Sequence, residues 1–269
     1  MNYIDKLLLT SQKNQSLLCI GLDPNPDAMP DVDILTFNKA IIDATCDLVC
    51  AYKPNLAFYE TFGSKGFAIL EETIKYIPPE IPIIGDAKRG DIGNTAKAYA
   101  KALFSTFGFD AVTVNPYLGF DSIQPFIENK DKGVFILCRT SNKGSADFQN
   151  LSCSGSLPLY EIVARKAREW NVHGNIGLVV GATYPEELKK IRAICPEMCL
   201  LIPGIGAQGG ALDLAVNNGV DTRGEKAIIN VSRKVLYASQ GKDFAQAARS
   251  SAMEIRNQIN SCLSRIHNK

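Results

Sequence analysis

Histidine is nearly missing from this chain: 269 residues contain only His173 and His267. Eight cysteines are present, but no two form a Cys-x-x-Cys pair. The usual ligand spacings of a structural zinc site are therefore absent, and no metal is expected. A charge excess is missing too, since 29 Lys and Arg face 28 Asp and Glu for a net charge of +1. That removes the electrostatic reason to expect nucleic acid or an anionic membrane as a partner. No uninterrupted apolar stretch reaches the roughly 18 residues that would suggest a membrane span. The start, Met1-Asn2-Tyr3-Ile4-Asp5-Lys6, lacks the charged-then-apolar layout of a signal peptide. The expectation is a cytoplasmic protein whose cysteines are reduced and act mostly as small buried hydrophobes.

What is present is a chain of ordinary globular composition, 46% hydrophobic and 21% charged. A chain this long buries about three quarters of its unfolded surface, so folding needs no disulfide or metal staple. Short apolar runs bounded by Gly, Pro, Asp or Asn alternate with longer amphipathic stretches. The strand candidates are Leu17–Leu22, Val49–Lys53, Ile81–Gly85, Ala111–Val114, Val134–Cys138, Ile176–Val180, Cys199–Ile202 and Ala227–Asn230. They do not alternate apolar with polar, which suits parallel strands covered on both faces. Helical patterns run over Ile34–Val49, Lys65–Tyr76, Thr95–Phe107, Pro158–Trp170, Pro185–Ile194, Ala211–Asn217 and Ala245–Ile266. Pro158 and Pro185 stand near helix starts, where proline is tolerated. Eight strand–helix units in this length predict one α/β domain over 1–269, a (β/α)8 TIM barrel, with a doubly wound open sheet as runner-up. The polar segment Asn142–Ser156 is longer than most strand-to-helix loops. It reads as a mobile cover for a site, or as a solvated insertion.

In such a barrel the functional groups lie at the C-terminal ends of the strands. The polar residues there are Asp23, Lys53, Asp86 with Lys88, Asn115, Ser141, Gln208 and Arg233. The densest cluster is Asp86-Ala87-Lys88-Arg89-Gly90-Asp91, directly after the apolar Ile81-Pro82-Ile83-Ile84-Gly85. Asp86 and Lys88 stand at i and i+2, so extended backbone would aim both into the barrel mouth. A lysine beside carboxylates keeps its proton and suits general-acid work. Lys53 either snorkels or joins this cluster. Asp23 either caps a turn or faces the site. After the seventh strand comes Pro203-Gly204-Ile205-Gly206-Ala207-Gln208-Gly209-Gly210, and after the eighth Ser232-Arg233. Glycines let backbone N–H groups approach an anion, and an arginine can hold phosphate bidentately, at the two positions where many barrels bind it.

The run Asp86 to Asp91, followed by Gly93-Asn94-Thr95, resembles the orotidine 5′-monophosphate decarboxylase family, in its longer bacterial branch. The likeness extends from Cys19-Ile20-Gly21-Leu22-Asp23 to Asn230-Val231-Ser232-Arg233. It implies loss of CO2 from orotidine 5′-monophosphate to give uridine 5′-monophosphate, the last step of de novo pyrimidine biosynthesis, with no cofactor. It also implies roles for particular residues. Lys53, Asp86, Lys88 and Asp91 match the family's alternating charged array, with Lys88 as proton donor to C6. The last aspartate comes from a partner subunit, so the resemblance implies a homodimer in which Ile92 and Thr95 cross the interface with Asp91. Asp23 would hold ribose hydroxyls. Ser141, in Thr140-Ser141-Asn142, would contact the pyrimidine. Gln208 and Arg233 would bind the 5′-phosphate, and Pro203 and Ile205 would form an apolar pocket beside the scissile carboxylate. The loop over Asn142–Ser156 departs from the shorter members, which leaves Thr140 as an alternative to Ser141.

Two other readings stay beside this one. A Mg-dependent sugar-phosphate decarboxylase or lyase on the same barrel also carries Asp-x-Lys-x-x-Asp, but Lys53 would set a cation against its metal. A catalytically silent uridine-nucleotide-binding protein would gain nothing from so many packed ionisable groups.

Overall fold

The structure is a computed structural model that describes residues 1–206 and 211–267. Eight parallel strands run in the order β2-β1-β8-β7-β6-β5-β4-β3. They are β1 (Leu18–Leu22), β2 (Ala51–Pro54), β3 (Ile84–Arg89), β4 (Ala111–Val114), β5 (Gly133–Arg139), β6 (Ile176–Val180), β7 (Cys199–Ile202) and β8 (Ala227–Val231). The seam between β2 and β3 is joined by isolated parallel bridges, Tyr52 to Ile83 and Asn55 to Asp86. The sheet thus curls into the expected barrel.

Burial explains why the strands are uniformly apolar. Along β1, Leu18, Ile20 and Leu22 pack outward against the helices, while Cys19 points into the barrel. The interior is filled by Cys19, Cys50, Ala51, Ile84, Ala111, Phe135, Val179, Cys199, Leu201 and Ile228. It is therefore a packed core, as in other barrels of this size. All eight cysteines are free thiols.

The first helix, α1 (Tyr3–Asn14), was not expected from the sequence. It closes the N-terminal end of the barrel by inserting Tyr3 and Leu7, and the Tyr3 ring meets Phe135 edge-on at 5.9 Å. The helices α2 (Ile34–Thr45), α4 (Gly63–Tyr76), α7 (Leu159–Trp170), α8 (Pro185–Ile194), α9 (Leu212–Gly219) and α11 (Phe244–His267) fall on the predicted patterns. Asp33 caps α2, accepting from the Thr36 N–H at 3.0 Å. The helix ends at Thr45 rather than Val49, because a turn closed by Leu48 N–H to Thr45 C=O leads into β2. The predicted helix Thr95–Phe107 is α5 (Gly93–Lys101), which widens into a π-turn over Ala102–Thr106. Three further short helices, α3 (Leu56–Glu60), α6 (Phe120–Ile127) and α10 (Arg233–Leu236), sit in stretches read as connections.

The third strand departs most from expectation. It starts at Ile84 and runs through the charged motif, pairing Arg89 with Val114 after a register shift between Gly85 and Arg89. The motif is therefore part of the barrel wall.

Candidate active site

The polar ends of β1, β2, β3, β7 and β8 surround one cavity of about 290 Å³, lined by Asp23, Asn25, Lys53, Asn55, Phe58, Asp86, Pro203, Gly204, Ile205, Asn230, Ser232, Arg233 and Tyr237. Its floor is ionic. Lys53 is 3% exposed, and its Nζ donates to Asp86 Oδ2 at 2.8 Å. Lys88 Nζ donates to the other oxygen, Asp86 Oδ1, at 2.6 Å. Thr113 Oγ1 also donates to that Oδ1 at 3.0 Å. The Asp86 carboxylate is thus held from three sides.

The electrostatics follow from this packing. Burial pushes the Asp86 carboxyl up, but the Lys53 and Lys88 charges outweigh it and hold Asp86 well below the usual carboxylate range. Burial pulls Lys53 down, and the charges of Asp86 and Asp23 more than reverse that, leaving it above the usual lysine value. Each buried charge keeps its partner ionised.

Lys88 reaches Asp86 by a route the i, i+2 spacing does not describe. Its backbone has φ +47°, the left-handed region, so the strand is not extended there. Its N–H donates to Thr113 Oγ1 at 3.0 Å, which fixes this kink on β4. The side chain lies half-exposed beyond Asp86 and does not itself line the cavity.

The neighbouring wall is set by Tyr237. Its hydroxyl donates to the Asp23 carbonyl at 2.6 Å and accepts from the Asn25 N–H at 2.8 Å. This fixes the backbone at the end of β1. Gly21 lets β8 approach closely there, because a Cβ at that position would fall 1.9 Å from Ser232 Oγ. Asp23 Oδ1 and Asn230 Oδ1 are both buried without a hydrogen-bond partner among the described residues. Arg233 stands exposed on the cavity rim, with Pro203 and Ile205 on the β7 side.

Six predicted site residues therefore meet around the cavity with Asp86: Asp23, Lys53, Pro203, Ile205 and Arg233 in its lining, and Lys88 through its ion pair. Four do not. Asp91 stands outside the lysine–aspartate array of its own chain, and its Oδ1 accepts from the Ile92 N–H at 2.8 Å. Ile92 is 54% exposed, and Thr95 is exposed on the first turn of α5. Ser141 lies off the lining, wedged against Gly181, where a Cβ would come within 2.7 Å of the Ser141 backbone. Thr183 Oγ1 donates to the Ser141 carbonyl at 3.1 Å. Gln208 lies outside the described residues.

The segment 142–156 is anchored rather than free-standing. Arg139, fully buried, donates to Ser145 Oγ and lies 3.7 Å from the Tyr184 ring. Gln149 accepts from the Thr140 N–H at 2.8 Å. Sequence reasoning missed Arg139, Thr113, Asn230 and Tyr237. Thr113 and Asn230 each carried a signal, as a polar residue within an otherwise apolar strand.

No group of three or more His, Cys, Asp or Glu that could hold a metal occurs among the described residues. No described helix is long and apolar enough to cross a membrane.

Comparison with known proteins gives a consistent picture. Residues 16–249 match the Orotidine 5'-phosphate decarboxylase / HUMPS family. An orotidine 5'-phosphate decarboxylase of Dehalococcoides mccartyi is 56% identical over 97% of this chain and 98% of its own length. One from Roseiflexus castenholzii is 52% identical, covering 98% and 99%. Among solved structures, an OMP decarboxylase of Leishmania donovani superposes with a TM-score of 0.87 at 42% identity, over 98% of this chain and 99% of that one. With the family matched across the barrel and its mouth, the chain belongs to the orotidine 5'-phosphate decarboxylase / HUMPS family.

Proposed function

We propose that this protein decarboxylates orotidine 5′-monophosphate to uridine 5′-monophosphate and CO2, without metal or organic cofactor, with Lys88 as the acid. The observation that carries this reading is the Lys53–Asp86–Lys88 array beside a cavity that also holds Asp23 and Arg233. The C6–carboxylate bond breaks heterolytically, CO2 leaves, and the electron pair stays on C6. Lys88 Nζ stabilises that charge and then donates its proton there. Asp86 keeps Lys53 charged and orients Lys88. It also faces the substrate carboxylate, which is repelled in the ground state more than in the transition state.

The rest of the substrate is assigned by chemistry and by the family likeness. Arg233 takes the 5′-phosphate together with Gln208, Asp23 takes ribose hydroxyls, and Pro203 and Ile205 give the departing CO2 an apolar wall. Ser141 is assigned the pyrimidine by the family likeness alone. Remote binding energy at the phosphate organises the site. Metal independence is supported by Lys53, whose ammonium already neutralises the Asp86 oxygen a divalent ion would need.

The working unit in this reading is a cytoplasmic homodimer. Asp91 completes the array of the partner subunit, with Ile92 and Thr95 beside it. The exposure of Ile92, and the bonding of the Asp91 carboxylate to its neighbouring backbone N–H, support this arrangement.

The test is the loss of orotidine 5′-monophosphate absorbance with purified protein in excess EDTA. Rapid conversion is expected. A folded protein that binds uridine 5′-monophosphate without turnover would support a silent binder. Activity on a sugar phosphate restored by Mg²⁺ would support the metal-dependent lyase.

A further inference from the structure

The cavity contains a polar group for which neither the charged array nor the phosphate site gives a use. Asn230 lies on β8, its Cα in register with that of Cys19 on β1. It is 7% exposed, lines the cavity, and its Oδ1 is buried without a hydrogen-bond partner among the described residues. An amide in this state costs free energy unless a ligand or solvent satisfies it. Its strand neighbours explain the contrast. Ile228, two residues earlier on the same inward face, is packed into the barrel core, and an apolar side chain at 230 would extend that packing. Just beyond the end of β1, Asp23 Oδ1 lines the same cavity and is also buried without a partner among the described residues.

We infer that Asn230 is a substrate-contact residue, which together with Asp23 recognises the ribose hydroxyls and makes the site selective for ribonucleotides over deoxyribonucleotides. This rests on the nucleotide reading of the cavity. The chemistry of the two side chains selects the ligand group. A carboxylate oxygen accepts only, so Asp23 needs a donor. The Asn230 amide carries one acceptor and two donors. A phosphate or carboxylate would satisfy its N–H groups alone and leave Oδ1 orphaned. A hydroxyl both donates and accepts, so it satisfies the amide in either flip orientation. Two unpartnered acceptors lining one cavity therefore call for two hydroxyl donors on the same ligand, as a ribose provides. A site built to hydrogen-bond a hydroxyl rejects the analogue that lacks it, because its buried polar groups are then left unpaired.

The experiment is calorimetric binding of uridine 5′-monophosphate, its 2′-deoxy and 3′-deoxy analogues, and ribose 5-phosphate, to wild-type protein and to Asn230→Leu. Asn230→Ala serves as a second variant, and thermal melting checks that each is folded. The wild type should bind uridine 5′-monophosphate at least about tenfold more tightly than one of the deoxy analogues. In the variants that preference should shrink by about tenfold, while affinity for the disfavoured deoxy analogue stays unchanged. Equal weakening of every nucleotide, or none, would overturn the inference. So would a wild type indifferent to both hydroxyls. Failure of wild type to bind uridine 5′-monophosphate while binding ribose 5-phosphate would count against the nucleotide reading. The effect of the variants on ribose 5-phosphate would then still decide the role of Asn230.

Discussion

Lys53 Nζ lies 2.8 Å from Asp86 Oδ2 across the seam where β2 and β3 meet only through isolated bridges. Their side chains are 4% and 11% exposed. The pair thus joins the two strands that backbone pairing joins least, and it does so at the cavity floor. In the proposed mechanism, catalytic charge and barrel closure depend on the same contact.

Asp86→Asn should therefore damage both. It leaves Lys53 buried with its nearest counter-charge removed, and breaking a buried pair in this way costs about 3–5 kcal/mol. Denaturant unfolding monitored by fluorescence would measure the loss, and turnover should fall with it. A variant as stable as wild type would show that the seam does not rely on this pair.

Lys88→Ala separates chemistry from folding. Lys88 is half-exposed, and exposed ion pairs contribute about 0–1 kcal/mol, so stability should barely change. Loss of a general acid costs about 10²–10⁴ in rate, and in the proposed mechanism the same group also stabilises the carbanion. Turnover should fall at least that far, with uridine 5′-monophosphate binding partly retained. Near-normal turnover would remove Lys88 from the chemistry.

Asp91 supplies a test of the shared site. Lys88→Ala and Asp91→Ala proteins should each be inactive. Mixed and allowed to exchange subunits, they should recover on the order of a quarter of wild-type activity, because half the dimers are hybrids with one intact site. Sedimentation would establish that exchange took place. Hybrids without recovered activity would place Asp91 in the site of its own chain, and an active Asp91→Ala protein would place it outside catalysis.

Arg139 should matter through the segment it holds. It is fully buried, bonded to Ser145 and close against Tyr184. Arg139→Met should cost about 2–3 kcal/mol through hydrogen bonds lost by a charged donor, and should speed protease cleavage within 142–156. Arg139→Lys should not restore protection, because an ammonium lacks the planar fork that bonds and stacks together. Unchanged cleavage would mean that the other contacts of the loop, such as Gln149 with Thr140, suffice.

The barrel was legible because strands covered on both faces read as apolar runs, and seven of the eight were placed within about two residues, the usual boundary scatter. The third, Ile84–Arg89, was shifted, because its pairing extends past the apolar run into charged residues and tolerates a bulge there. α6 was hidden by its internal Pro125, while α3 and α10 are too short for any period to register. The Tyr3, Leu7 and Thr10 stripe of α1 carried a helical signal that went unused. In the site, charged residues stood out in sequence. The groups that orient them did not: Thr113 acts on Asp86 from 27 residues away, and Tyr237 on Asp23 from 214. Such pairs have no local pattern to read. The left-handed backbone of Lys88 was equally hidden, since only its contact with Thr113 selects it.

The opposed shifts of Lys53 and Asp86 predict a pH signature in which the mutant gains a slope that the wild type lacks. In the wild type Asp86 titrates below the usual carboxylate range, so its contribution is present above about pH 4 and is lost only as pH falls through the depressed value. Lys53 titrates above the usual lysine range, so its contribution is present below about pH 10 and is lost only as pH rises through the raised value. Between pH 5 and pH 9, roughly, the pair should add no slope to stability. Asp86→Asn removes the largest charge holding Lys53 up, and burial then pulls the lysine down. The folded variant binds fewer protons at Lys53 than the unfolded chain does, so its stability should climb with pH. The deficit against wild type should therefore narrow from pH 7 to pH 9.5 in urea titrations. A deficit that holds constant or widens would mean that Asp23, also facing Lys53, is enough to keep the ammonium charged.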